Sequence, residues 1–219
     1  MLYIFEMANN HQGSVAHAKR IIDEFGALAK EKNIKAAIKL QFRQLDTFIH
    51  DDFKGSDLKF VKRFRSTRLS KEQFREIVEH IRQSGLIPMA TPFDNESLHW
   101  FEDLKIPVVK VYNLFKSKGR DFSFMHCIGE YPTPIENSNL SRIKKLQDMF
   151  PDIEVGISTH ESPEQKSMCS HAVAMGCTIV EKHVGVRTEE IELNLYSNTP
   201  NQMRDVIEEI QSVQSAILG

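Results

Sequence analysis

The stretch PVVKVYNLFKSKGRDFSFMHC, residues 107 to 127, contains two β-type runs, PVVKV and FSFMHC, with only YNLFKSKGRD between them. A crossover between neighbouring parallel strands needs roughly a dozen residues or more, its helix included. These two runs therefore cannot be adjacent parallel strands joined by an intact connection. NLFKSKGRD itself reads as the last turns of a helix closed by Gly119, its beginning removed. Restoring a helix, a strand and the start of the next helix would supply one more βα unit. The chain is then an α/β protein of the (β/α)₈ TIM-type barrel class, with one βα unit absent or omitted after residue 111. Such barrels usually take about 250 residues.

The rest of the chain agrees with this reading. Short apolar runs alternate with longer amphipathic stretches, the pattern of parallel strands joined by crossover helices. Strand-like runs are LYIFEM (2 to 7), AAIKLQ (36 to 41), LIPMAT (86 to 91), PVVKV (107 to 111), FSFMHC (122 to 127), EVGIS (154 to 158) and TIVEKH (178 to 183). Helix-like segments fall near 14 to 30, 70 to 84, 95 to 104, 140 to 149, 162 to 175 and 200 to 217. Three have recognisable starts: Ser70 before KEQF, Asp94-Asn95 before ESLHWF, and Ser162-Pro163 with Glu164 before an Ala-rich run. No Pro/Ser linker divides residues 1 to 219, so a single domain is expected.

With 219 residues, 41% apolar and 26% charged, the chain can bury a sizeable core and is not disordered. No apolar run approaches the roughly 18 residues of a membrane helix, and MLYIFEMANNHQG lacks the features of a signal peptide. A cytoplasmic protein without a membrane is expected. The net charge of −2 gives no argument for nucleic acid. The basic cluster between Lys59 and Arg75 reads as a solvated loop and helix face. Cys127, Cys169 and Cys177 show no C-x-x-C spacing and read as reduced thiols.

In such barrels the working residues stand at the carboxyl ends of the strands. Here those ends are polar. The first ends at Glu6 before NNHQG. The second carries Lys39 and Gln41 on one face, because strand side chains repeat every two residues. The third ends in Thr91-Pro92-Phe93-Asp94, the fourth carries Lys110, and the next ends at His126-Cys127. The last two end in Ser158-Thr159-His160 and Glu181-Lys182-His183. Burying Lys39, Lys110 and Glu6 without partners would cost several kcal/mol, and a bound ligand could supply them. Lysines and hydroxyls suit phosphate and carboxylate oxygens, and two imidazoles near a carboxylate suit a divalent metal. An anionic substrate beside a metal at His160 and His183 is the reading, with His11 and His126 as competing ligands.

The segments FEMANNHQG, IKLQ, LSKEQFREI, ATPFDNESL, IPVVKV, HCIGEYPTP, NLSRIKKLQDMFPDIEVGISTH and GCTIVEKHV resemble, in order, the signatures of the sialic acid synthase family. The resemblance covers almost the whole chain. It implies a metal-dependent transferase of carbohydrate biosynthesis, condensing phosphoenolpyruvate with an N-acetylhexosamine-type aldose on a (β/α)₈ barrel. It implies His160 and His183 as ligands of Mn²⁺ or Mg²⁺, and Glu6, Lys39, Lys110 and His183 as the catalytic group. Lys39, Thr91, Lys110 and Ser158 match positions that hold the phosphate and carboxylate of phosphoenolpyruvate. Glu6, Gln41 and Tyr131 match positions that contact the acceptor. A homodimer is implied as well.

The sequence also departs from the family. A phosphate-binding strand end after the Lys110 position falls in the absent stretch. An asparagine of the family's HC-x-N-x-YP loop is Gly129 here. TEEIELNLYSNTP replaces the usual turn after EKHV, with Glu192 and Asn194 the nearby candidates for an acidic sugar contact. No carboxyl-terminal antifreeze-like domain is expected after the last helix. The alternatives are a 3-deoxy-octulosonate phosphate-type synthase and a non-catalytic sugar- or anion-binding barrel.

Overall fold

The computed structural model describes residues 1–106 and 122–218. In chain order the elements are β1 (Leu2–Glu6), α1 (Val15–Glu31), β2 (Lys35–Phe42), α2 (Leu45–Phe48), α3 (Lys59–Ser66), α4 (Lys71–Gln83), β3 (Ile87–Pro92), α5 (Asn95–Asp103), β4 (Ser123–Cys127), α6 (Ser141–Met149), β5 (Glu154–Thr159), α7 (Ser167–Ala174), β6 (Ile179–His183) and α8 (Pro200–Leu218). The six strands form one parallel sheet in the order β3-β2-β1-β6-β5-β4.

Followed around, that order is the cyclic order of a barrel whose described strands break off between β3 and β4. PVVKV, expected as a strand in that interval, and the junction after it lie outside the described residues. β1 is buried over Tyr3–Glu6, as a strand covered on both faces must be. Helices cover the outside: α1 turns Ala18, Ile21, Ile22, Phe25, Leu28 and Ala29 inward at helical spacing. Inside, Gly156 of β5 is required by close packing, since a Cβ there would stand 2.7 Å from Ile179 Cβ and 2.8 Å from its carbonyl oxygen.

Two of the three predicted helix starts are observed. Ser70 Oγ accepts from Gln73 N while Gln73 Oε1 accepts from Ser70 N, a reciprocal capping box. Asp94 Oδ1 accepts from Ser97 N at 2.7 Å, so Asp94 rather than Thr91 caps α5. The third is corrected. Ser162 closes a turn by accepting Gln165 N at its carbonyl, and α7 begins only at Ser167 after Lys166. The basic cluster is also only partly solvated: it folds as α3 and α4, and Arg63 of α3 reaches inward. The three cysteines are free thiols. Among the described residues no helix is long and apolar enough to cross a membrane.

Candidate functional site

The register of the sheet assembles the strand-end residues. Glu6 stands opposite Lys39 on one side and His183 on the other, Ser158 opposite Glu181, and Gln41 opposite Thr91. Period-two alternation then separates neighbours: Glu181 and His183 face the mouth, while Lys182 faces the helices and pairs with buried Glu161 at 2.8 Å.

At the centre, Lys39 Nζ lies 2.8 Å from Glu6 Oε2 and donates to both oxygens of Glu181 at 2.9 and 2.8 Å. Ser158 Oγ donates to Glu181 Oε1 at 2.9 Å, and the Ala8 amide donates to Glu6 Oε1. Lys39, expected to need a ligand's anion, thus has two carboxylates of its own. The two acids are driven apart. Burial pushes the Glu6 carboxyl above its ordinary range, against Lys39 and with help from Glu181. Burial acts on Glu181 in the same sense, but Lys39 and Ser158 prevail and hold it below that range. Lys39, despite its burial, is held firmly protonated by both. Two adjacent carboxyls with opposed shifts can serve as a proton-exchanging group and a fixed charge.

Beside this cluster the imidazoles of His160 and His183 lie 5.1 Å apart, centre to centre. His160 Nδ1 donates to the Ile128 carbonyl at 2.9 Å, which leaves its Nε2 free as a lone-pair donor. Burial, with His183 adding to it, brings the His160 pKa down to about 4, and burial brings His183 to about 4 as well. Both rings are therefore neutral near pH 7, the form that ligates a metal. His183 Nδ1 is buried without a partner. A two-imidazole donor set of this kind fits a divalent ion whose remaining positions are filled by water and substrate oxygens. Among the described residues no cluster of three or more His, Cys, Asp or Glu is arranged around a metal position. Of the competing histidines, His126 Nε2 meets the Ser138 carbonyl at 2.8 Å, and His11 Nδ1 accepts the Gly13 amide at 3.0 Å.

The Tyr131 ring lies tilted at 57° to His160, 4.3 Å away centre to centre, and is half exposed. Its second neighbour, Tyr196, was not foreseen: it lies 5.1 Å from Tyr131 and 5.0 Å from His183. Neither Glu192, which is exposed, nor Asn194 occupies that place; Asn194 Oδ1 instead accepts the Tyr196 amide. Two arginines were also missed. Arg43 follows Lys39 and Gln41 on the same face and donates to Gln41 Oε1, and Arg63 donates to Gln12 and to the Asn9 carbonyl. The parity of residues 39, 41 and 43 was a usable signal for Arg43, whereas nothing local marks Tyr196 or Arg63. Of the sequence-derived site residues, Glu6, Lys39, Gln41, Thr91, Tyr131, Ser158, His160 and His183 converge on one mouth. Lys110 lies outside the described residues.

The NeuB family model matches residues 27–114 and 110–219. The two matched segments meet where the missing unit is expected. The chain is 24% identical over 258 residues to N-acetylneuraminate-9-phosphate synthase of Mus musculus, covering 98% of this chain and 70% of that protein. Among solved structures it resembles a spore coat polysaccharide biosynthesis protein E from Chromobacterium violaceum, at 35% identity and a TM-score of 0.93, over 100% of this chain and 76% of that one. It shares the fold of an N-acetylneuraminic acid synthetase from Leptospira borgpetersenii, at 21% identity and a TM-score of 0.81, over 98% of this chain and 84% of that one.

Proposed function

The chain belongs to the NeuB family, and on that premise we propose that it is a phosphoenolpyruvate-dependent synthase. It joins phosphoenolpyruvate to an N-acetylhexosamine-type aldose, giving a nonulosonic acid and inorganic phosphate. The observation that carries this reading is the packing of the Glu6–Lys39–Glu181 cluster against the two neutral imidazoles His160 and His183.

The methylene carbon of phosphoenolpyruvate attacks the acceptor aldehyde, water adds to the carbon bearing the phosphate ester, and phosphate leaves. Lys39, with Lys110, Thr91 and Ser158, offsets the charge of phosphate and carboxylate. A phosphate drawn onto Lys39 competes with Glu6 for the ammonium. Glu6, whose carboxyl is already pushed up by burial, is then the member that takes a proton. It can pass that proton to the new alkoxide and recover one from the incoming water, so the proton count closes. Gln41 and Tyr131 orient the acceptor, which supplies rate as proximity. His160 and His183 would hold Mn²⁺ or Mg²⁺, and the bound ion would act as a Lewis acid toward the aldehyde oxygen.

Phosphate release from phosphoenolpyruvate with N-acetylmannosamine tests this. Release is expected to need both substrates, to stop when metal is chelated, to return with manganese, and to be lost in a folded His160→Ala variant. That variant should also lose about 10 to 100-fold in manganese affinity, measured directly by titration. Full activity in the chelated wild type would remove the metal from the reading, and no phosphoenolpyruvate binding at millimolar levels would remove the condensation. A panel of acceptors, phosphorylated pentoses included, separates this activity from that of an octulosonate-type synthase.

A further inference from the structure

Two guanidinium groups converge on the loop after β1. Arg43 Nη1 donates to Asn9 Oδ1 at 3.3 Å, and Arg63 Nη2 donates to the carbonyl of the same residue at 3.1 Å. Their other hydrogen-bond partners are Gln41 Oε1 for Arg43 and Gln12 Oε1 for Arg63. All four acceptors are neutral amides. Among the described residues no carboxylate lies within 4.0 Å of either arginine.

The carboxylates whose fields reach Arg43 are Glu6 and Asp94. Both are engaged elsewhere, Glu6 with Lys39 and Asp94 with the amides of Gln44 and Ser97. Arg43 is held flat by phenyl rings, its guanidinium carbon 4.1 Å from the centre of Phe93 and 4.7 Å from that of Phe64. Its Nε is buried and unpaired. The adjoining cleft, lined among others by Asn9, His11, Gln41, Arg43, Phe64 and Arg68, contains no carboxylate. Two partly buried guanidinium groups held at one residue only by neutral acceptors carry an unmatched desolvation cost, and an oxyanion accepting from both forks would supply the missing counter-charge.

We propose that Arg43 and Arg63 form an oxyanion subsite for a phosphate or carboxylate carried by the acceptor at the end remote from its aldehyde. This rests on the synthase reading, which puts the acceptor over Gln41. Arg43 stands four residues, roughly 13 Å of extended chain, beyond Lys39 on the same face. The subsite is therefore outside the phosphoenolpyruvate position. Family membership leaves this property open, because the mouse relative's name specifies a phosphorylated product and the Leptospira protein's name does not. The residues of this chain decide it.

The test is calorimetry on the full chain with manganese, with and without saturating phosphoenolpyruvate. The probes are N-acetylmannosamine 6-phosphate, the neutral sugar, a hexuronic acid and inorganic phosphate. At least one charged sugar should bind ten-fold or more tightly than the neutral one, and the phosphate and carboxylate arms identify which anion is taken. Arg43→Gln and Arg63→Gln, each checked for folding by circular dichroism, should abolish the preference while phosphoenolpyruvate binds as before. Equal affinity for charged and neutral sugars overturns the proposal, as does a preference that survives in both variants. With phosphoenolpyruvate saturating, inorganic phosphate binding as tightly as the sugar phosphate overturns the assignment to an acceptor. Absence of heat with phosphoenolpyruvate alone sinks the synthase reading instead, and the arm without it still judges the subsite.

Discussion

The two cationic flanks of the mouth are built on the same strand end and solve opposite problems. Lys39, the deeper cation, is bracketed by Glu6 and Glu181 and needs nothing further for its charge. Arg43, two alternations outward, is held by amides and phenyl faces. A cation matched by protein carboxylates gives a fixed field that a reaction can use. An unmatched cation carries the desolvation cost of its burial until a ligand arrives, and so belongs to recognition.

The largest effect should come from removing the matched cation. Lys39→Met leaves Glu6, 2% exposed, and Glu181, 8% exposed, facing each other without a counter-charge. A loss of about 3–5 kcal/mol in unfolding free energy is expected at pH 7.5. Part of it should return at lower pH, as one carboxyl takes a proton. Urea denaturation of wild type and variant at two pH values measures both. A loss below about 1 kcal/mol would show that the cluster is solvated rather than matched, and would erase the contrast with Arg43.

The unmatched flank should announce itself through pH. Burial, with Arg63 and Arg43 adding to it, brings the His11 pKa down to about 3 from an ordinary 6.5. Below 6.5 the unfolded chain therefore binds a proton that the folded chain refuses, so stability falls as pH drops from 6.5 toward about 3. At pH 5 the His11 contribution to this loss should reach about 2 kcal/mol. His11→Gln changes packing against Phe74 as well, so the diagnostic is the slope. Between pH 6.5 and 5 the variant's stability should vary less than the wild type's by about that amount. Identical slopes would remove the cationic pressure from the argument.

How much of this was legible before the structure depends on the physics of each residue. β1, β2 and the capping box at Ser70 follow from local pattern, and local pattern survives folding. The short connection after PVVKV stands out in the sequence because chain length is a hard constraint, and it lies outside the described residues, between β3 and β4 in the order of the described strands. The convergence of Glu6, Lys39, Ser158, His160 and His183 could be foreseen because a barrel gathers its strand ends at one mouth. Their pairing could not, since it depends on register across β1, β2, β5 and β6. Arg63 and Tyr196 come from a short helix and a loop with no period to betray their direction. The start of α7 was misjudged because Ser162-Pro163 is as good a turn as it is a cap.

The smallest effect should come from Arg43→Met, and its smallness is the point. The substitution keeps an unbranched apolar stem among Phe48, Phe64 and Phe93 but loses the cation–π contacts and two hydrogen bonds to amides. Against that it removes a buried Nε–H without a partner and the desolvation cost of a partly buried cation. Each of these terms is of order 1–2 kcal/mol and they oppose one another. The net change should therefore stay within about 1 kcal/mol, far below that of Lys39→Met, because no carboxylate is left orphaned. Millimolar phosphate should raise the melting temperature of the wild type by binding the folded form, and this increment should shrink in Arg43→Met to the part supplied by the phosphoenolpyruvate position. Thermal melts of both proteins in phosphate and in a non-coordinating buffer at equal ionic strength read it out. A loss of 3 kcal/mol or more would mean that Arg43 is matched after all, and the two flanks would then be one.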